Sequence, residues 1–165
     1  MVTLEMLEDL DIFMTLDREQ LNQILEISEL EKYQVGDRLF REDDEAREMW
    51  IVTEGTVQLR FEIPGVKHTS EETTVSSHDN TEPESQVFGW SCFIPPYKMR
   101  LSAFCASRRC QVLKINSSRL NELMDANPVI GHTIMRYLVQ VVGFRFKQMQ
   151  DQVVRFMGAN IMNSW

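Results

Sequence analysis

The chain has 165 residues, 43% of them apolar and 25% charged, which suits one globular domain or one domain with an appendage. Its 17 basic and 25 acidic residues leave a formal net charge of −8, so a duplex-binding surface would have to overcome repulsion locally. No apolar run approaches the roughly 18 to 20 residues of a membrane span, and Met1-Val2-Thr3-Leu4-Glu5 lacks the basic end and apolar stretch of a signal peptide.

Asp17, with Gln20 three residues on, reads as a capping box. Leu21, Ile24, Leu25 and Ile27 then recur at helical spacing, which predicts a helix to about Leu30. The pattern changes at Tyr33-Gln34-Val35-Gly36-Asp37, a turn into strand. Short strands and turns follow as far as Ile115. Arg38-Leu39-Phe40 is brief. Met49-Trp50-Ile51-Val52 is an unbroken apolar run, fit for a fully buried strand. Glu54-Gly55-Thr56 is a turn. Val57, Leu59 and Phe61 alternate with polar residues and so share one face. Leu101, Ala103 and Cys105 alternate in the same way, and Gln111 to Ile115 is another strand. Residues 67–86 carry almost no apolar side chains and read as an exposed hairpin or a mobile loop. About eight short strands of this kind predict a barrel or sandwich rather than a βαβ sheet.

After Asn116-Ser117-Ser118 a short helix is expected from Arg119 to Asp125. Pro128 then opens a long helix, at a position where its missing N–H costs nothing. That helix is expected to reach Met157, with Gly158-Ala159-Asn160 as its stop. Met135, Val139, Val142, Phe146, Met149, Val153 and Phe156 follow alternating spacings of four and three along it. This is a heptad seam. Ile130, Ile134, Tyr137, Leu138, Val141 and Phe144 form a second apolar face. Two faces need two partners: the chain's own barrel and a second copy. At roughly 1.5–3 kcal/mol per buried side chain, seven seam residues represent about 10–20 kcal/mol of gross burial. An intramolecular core is the plainer alternative for the seam, but a strict two-position stripe is the coiled-coil form.

The order of helix, barrel of short strands and long helix resembles the cyclic-nucleotide-binding domain family, that of the catabolite activator protein and the regulatory subunits of protein kinase A. Gly36-Asp37-Arg38-Leu39-Phe40, then Asp44, then Met49-Trp50-Ile51-Val52-Thr53-Glu54-Gly55-Thr56-Val57 resembles the family's first half. Asp43 stands where the family usually has a turn glycine, and Asp tolerates the left-handed conformation better than most residues. Phe88-Gly89-Trp90-Ser91-Cys92 followed by Arg100-Leu101-Ser102-Ala103 resembles the phosphate-binding cassette, with the bacterial eleven-residue step from Gly89 to Arg100. The similarity spans about Phe13 to Phe156.

The resemblance implies a mainly β fold with flanking helices: a β-roll ligand-binding unit over residues 1–126, and a long dimerisation helix with a short tail over 127–165 of the same domain. It implies a non-catalytic regulatory domain that senses a small-molecule effector. The implied contacts are Gly89, Trp90, Ser91, Arg100, Leu101, Ser102 and Leu59, with Arg145 reaching in from the long helix. A turn after Gly89 presents backbone N–H groups to an anion, and an arginine adds a charge-assisted fork. Trp90 takes the place of the glutamate that binds the ribose 2′-hydroxyl, and indole accepts no conventional hydrogen bond. Losing that charged bond costs roughly 1.5–3 kcal/mol. Three readings stay open: cyclic AMP or cyclic GMP in a weakened or altered pose, another small anionic or aromatic ligand, or a ligand-free dimerisation scaffold.

Other tempting residues have plainer readings. His68, His78 and His132 are far apart in sequence, and solvent exposure is expected. Cys92, Cys105 and Cys110 lack zinc-ligand spacing, so no metal site is expected. They read as reduced thiols of a cytoplasmic protein, with Cys92 alone a candidate for reactivity. Glu42-Asp43-Asp44-Glu45 lacks the spacing of a calcium loop and reads as a solvated turn. No catalytic motif stands out, so no enzyme activity is expected. Only Gly158 to Trp165 follow the long helix, too few for a helix-turn-helix. A stand-alone sensor and the sensor half of a longer regulator both remain open, as does a downstream protein partner. Neither nucleic acid nor a membrane is expected as a partner.

Overall fold

The Asp17 capping box closes in both directions: the Asp17 carboxylate accepts from Gln20 N–H at 2.9 Å, and the Gln20 side chain accepts from Asp17 N–H at 3.0 Å. In this computed structural model, residues 1–61, 73–76 and 86–162 are described, with only the backbone at 73–76, 156 and 159–162. Two elements precede the box, α1 (Leu4–Glu8) and a 3-10 turn (Asp11–Phe13). Phe13, Ile12 and Leu7 of this segment are buried in the core. Helix α2 (Arg18–Leu25) ends five residues before the predicted Leu30. Strand β1 (Ser28–Gln34) starts there because its backbone pairs antiparallel with the distant strand β8 (Arg109–Asn116), from Ser28 opposite Ile115 to Gln34 opposite Arg109.

Eight strands are present among the described residues, in two four-stranded antiparallel sheets. The first has the order β1, β8, β3 (Glu48–Glu54), β6 (Val87–Phe88). The second has the order β2 (Arg38–Phe40), β7 (Ser102–Cys105), β4 (Thr56–Arg60), β5 (Thr73–Ser76). Met49 to Val52 are buried on both faces, as their unbroken apolar run predicts. Asp43 does take the left-handed conformation, with φ 70°, and its N–H donates to the Met99 carbonyl at 2.9 Å. Beside β8, Lys114 of that strand pairs with Glu31 of β1 at 2.7 Å.

Phe61 departs from the predicted alternation. Strand β4 ends at Arg60, so Val57 and Leu59 are buried while Phe61 is 67% exposed. Of residues 67–86, β5 pairs antiparallel with β4, from Leu59 opposite Thr73 to Thr56 opposite Ser76. The rest of that segment up to Ser85, with His68 and His78, lies outside the described residues.

Asn116 caps α3 (Ser117–Ala126) by accepting from Arg119 N–H at 3.0 Å. Helix α4 (Pro128–Met162) begins at the expected proline but passes through Gly158 instead of stopping there. A glycine costs a helix only about 1 kcal/mol, too little to end one already 30 residues long. The two faces of α4 separate as their spacing predicts. Ile130, Ile134, Leu138 and Val141 are buried in the core. Met135, Val139, Val142, Phe146, Met149 and Val153 lie on the other side, between 37% and 72% exposed. The Phe156 side chain lies outside the described residues. No helix among the described residues is long and apolar enough to cross a membrane.

Candidate functional site

Gly89 follows β6 with φ 73° and ψ 12°. A Cβ added there would lie 2.5 Å from Trp50 Cδ1 and 3.2 Å from the Glu48 carbonyl oxygen. Glycine is therefore required twice, for the left-handed backbone and for the close approach to the indole. A 3-10 turn (Trp90–Phe93) follows, held by the Cys92 N–H donating to the Gly89 carbonyl at 3.2 Å. The leading N–H groups of such a turn have no partner within it, and Gly89 supplies no side-chain cap.

A cavity of about 210 Å³ opens beside this turn. Phe88, Gly89, Trp90 and Ser91 form one wall, and Met99, Arg100 and Leu101 a second. Phe40 of β2, Leu59 of β4 and the following Phe61 complete the barrel side. Helix α4 contributes Arg145, Met149 and Gln152. Their spacing of four and three puts all three on one stripe of the helix. The lining residues Phe40 and Phe88 form an aromatic triangle with Trp50, which does not line the cavity, with ring centroids 5.4 to 5.9 Å apart.

The cavity thus gathers seven of the eight sequence-predicted contacts, including Arg145 from the far end of the chain. Ser102 is the exception. It is fully buried, and its hydroxyl accepts from the Glu42 N–H at 2.8 Å. Across β4 and β7 the cavity-lining Leu59 is opposite Ala103, and Arg60 is opposite Ser102. Opposed residues share a face and successive ones alternate, so Ser102 lies on the face away from Leu59. Phe40, Phe61, Phe88, Met99, Met149 and Gln152 join the lining without having been predicted as contacts. Phe40 ends the Gly36 to Phe40 motif and Phe88 opens the cassette motif, and those positions were the available signal. Gln152 could have been found by extending the helical step from Arg145.

Two cations line the cavity. Arg100 is exposed, and among the described residues no acid or hydrogen-bond acceptor engages it. Arg145 is half-buried and donates from Nη1 to Gln148 Oε1 at 3.3 Å. Cys92 belongs to the turn itself, and burial pushes its thiol up to about 12. The candidate for reactivity is thus a buried, protonated thiol. Cys105 and Cys110 are also buried and free. His132 is exposed. No group of metal-ligating side chains is assembled among the described residues. A second hollow of about 390 Å³, bordered by Asp9, Thr53, Glu54 and Gln111, holds none of the predicted contacts.

The cyclic nucleotide-binding domain family matches residues 30–127. Among solved structures, a Geobacter metallireducens protein named for inferred cyclic nucleotide binding is 28% identical, with 88% of this chain and 99% of that one aligned and a TM-score of 0.71. A cyclic nucleotide-binding domain from Methylobacillus flagellatus is 16% identical over 92% of this chain and 80% of that one, with a TM-score of 0.72. The regulatory domain of Toxoplasma gondii protein kinase A, solved with cAMP, is 15% identical over 85% of this chain and 48% of that one, with a TM-score of 0.63. No curated protein matches the chain. The glycine turn, the arginine eleven residues on and the two-sheet roll agree with the match over 30–127, and the chain belongs to the cyclic nucleotide-binding domain family.

Proposed function

We propose that this chain is a non-catalytic regulatory domain that senses a small anionic molecule and works as a cytoplasmic homodimer along α4. One observation carries the reading: the Gly89 turn, Arg100 and the α4 residues Arg145, Met149 and Gln152 all border one cavity. An anion placed there meets two guanidinium groups in a chain whose net charge is −8. Met149 belongs both to the cavity and to the exposed seam of α4. Filling the cavity therefore acts on the surface through which two copies would pair, and a protein partner reads the change. Gly89, Trp90, Ser91, Arg100, Leu101, Leu59 and Arg145 are the proposed contacts. Cyclic AMP and cyclic GMP are candidate effectors, since the Toxoplasma gondii regulatory domain was solved with cAMP.

The test is a thermal melt with cyclic AMP, cyclic GMP and a panel of small organic anions. A ligand at 100 times its Kd adds about 2.7 kcal/mol, a rise in Tm of roughly 5–10 °C for a chain of this size. Arg100→Ala removes the response. A chain that stays dimeric yet responds to no compound is instead a scaffold without an effector.

A further inference from the structure

We infer that the cavity selects an anion carried on an aromatic or otherwise apolar body, and that Trp90 sets it against cyclic nucleotides. The inference rests on the cavity being a receptor, as proposed above, and adds the class of ligand. Its two charged lining residues, Arg100 and Arg145, are both cations, and no carboxylate lines it among the described residues. Of the other lining residues, only Ser91, Gln152 and, through its indole N–H, Trp90 carry polar side-chain atoms, and Ser91 is itself only 9% exposed. The remaining side chains are aromatic, aliphatic or thioether, and the Phe40 and Phe88 rings lie 5.9 Å apart with their planes inclined at 29°.

A cyclic nucleotide brings a sugar hydroxyl and the donor and acceptor edges of its base. Guanidinium groups and indole donate hydrogen bonds and accept none, so among the lining side chains only the neutral oxygens of Ser91 and Gln152 can receive the sugar hydroxyl, and no carboxylate can. Exchanging a charged acceptor for a neutral one costs roughly 3- to 30-fold in affinity. A planar hydrocarbon bearing a carboxylate, sulfonate or phosphate ester has no such demand. Its ring meets the phenylalanine and tryptophan faces, and its charge meets Arg100.

Isothermal titration calorimetry on the whole chain with 2-naphthoate, neutral 2-naphthylmethanol and cyclic AMP tests this. In the wild type, 2-naphthoate binds at least 10-fold more tightly than either of the others. Trp90→Glu reverses the order, weakening 2-naphthoate and strengthening cyclic AMP by 10-fold or more. Arg100→Gln abolishes the preference for naphthoate over naphthylmethanol. Cyclic AMP binding the wild type as tightly as 2-naphthoate overturns the inference and leaves the sensor reading standing. No binding of any of the three to wild type or to Trp90→Glu overturns both. An Arg100→Gln chain that binds 2-naphthoate unchanged overturns the placement of the anion. If Trp90→Glu does not fold, the wild-type ranking alone decides.

Discussion

Replacing Gly89 by alanine separates two reasons for the same residue. The backbone there has φ 73°, and a side chain held in the left-handed region costs about 1–2 kcal/mol. The added Cβ would also sit 2.5 Å from Trp50 Cδ1, on a ring only 4% exposed and packed against Phe40 and Phe88. Forcing a methyl into such packing costs a further 1–3 kcal/mol or so. Gly89→Ala is therefore expected to lose about 2–5 kcal/mol, a large share of the roughly 5–15 kcal/mol that holds a domain folded. Gly36 is the control: its φ is 87°, but an added Cβ would meet nothing within 4 Å. Gly36→Ala should lose only the backbone share. Urea unfolding followed by tryptophan fluorescence reads both. With a slope of about 2 kcal/mol per molar urea, the midpoint falls by roughly 1–2.5 M for Gly89→Ala and by about 0.5–1 M for Gly36→Ala. Asparagine sharpens the comparison because it tolerates the left-handed region. It should restore most of the stability at position 36 and none at position 89. Equal losses for the two alanine variants would refute the steric half of this reasoning.

Four further outcomes are expected. Replacing Val142 and Met149 together by Asp puts charge into the exposed seam and should give a monomer by light scattering; an unchanged dimer mass would remove α4 from the interface. Burial raises the Glu31 carboxyl, but hydrogen bonds from Lys114 and Tyr33 and the Lys114 charge outweigh it and hold the group below its usual range. Its contribution is therefore present at neutral pH and lost as pH falls through the lowered value. Glu31→Gln should cost about 1.5 kcal/mol at pH 7 and progressively less as pH falls below the usual carboxylate range in urea titrations, whereas a constant difference would exclude the ion pair as the cause. All three cysteines are buried and free, so Ellman's reagent should count none promptly in the native chain and three after denaturation; a fast native thiol would contradict the packing around Cys92. Ser102→Ala leaves the Glu42 N–H without its acceptor and should cost about 1 kcal/mol while leaving the affinity for any cavity ligand unchanged by calorimetry.

The elements that local chemistry fixes were legible before the structure: the Asp17 capping box, the buried run from Met49 to Val52, the left-handed Asp43 and the two faces of α4. Elements that answer to distant partners were not. Residues 26–30 carry a helical spacing, yet pairing with β8, some 80 residues away, takes Ser28 onward into strand. Gly158 reads as a stop, but a helix already formed propagates through a single glycine. The site divides along the same line. Gly89, Trp90, Ser91 and Arg100 belong to one short motif and could be read in place. Met99 and Gln152 reach the cavity only because sheet closure and the course of α4 bring them there. Ser102 was misplaced because a motif aligns positions, whereas the alternation of an extended chain decides which neighbour looks inward.

The anchoring of α4 at one end has a mechanical consequence. Ile130 to Val141 fix its first two-fifths in the core, against α3 and the N-terminal 3-10 turn. The residues beyond pass the cavity at Arg145, Met149 and Gln152 and run on to Met162, a reach of about 30 Å at 1.5 Å per residue. A rod clamped in this way gears motion upward. A tilt of about 10° at the clamp would swing the far tip through about 5 Å over that length.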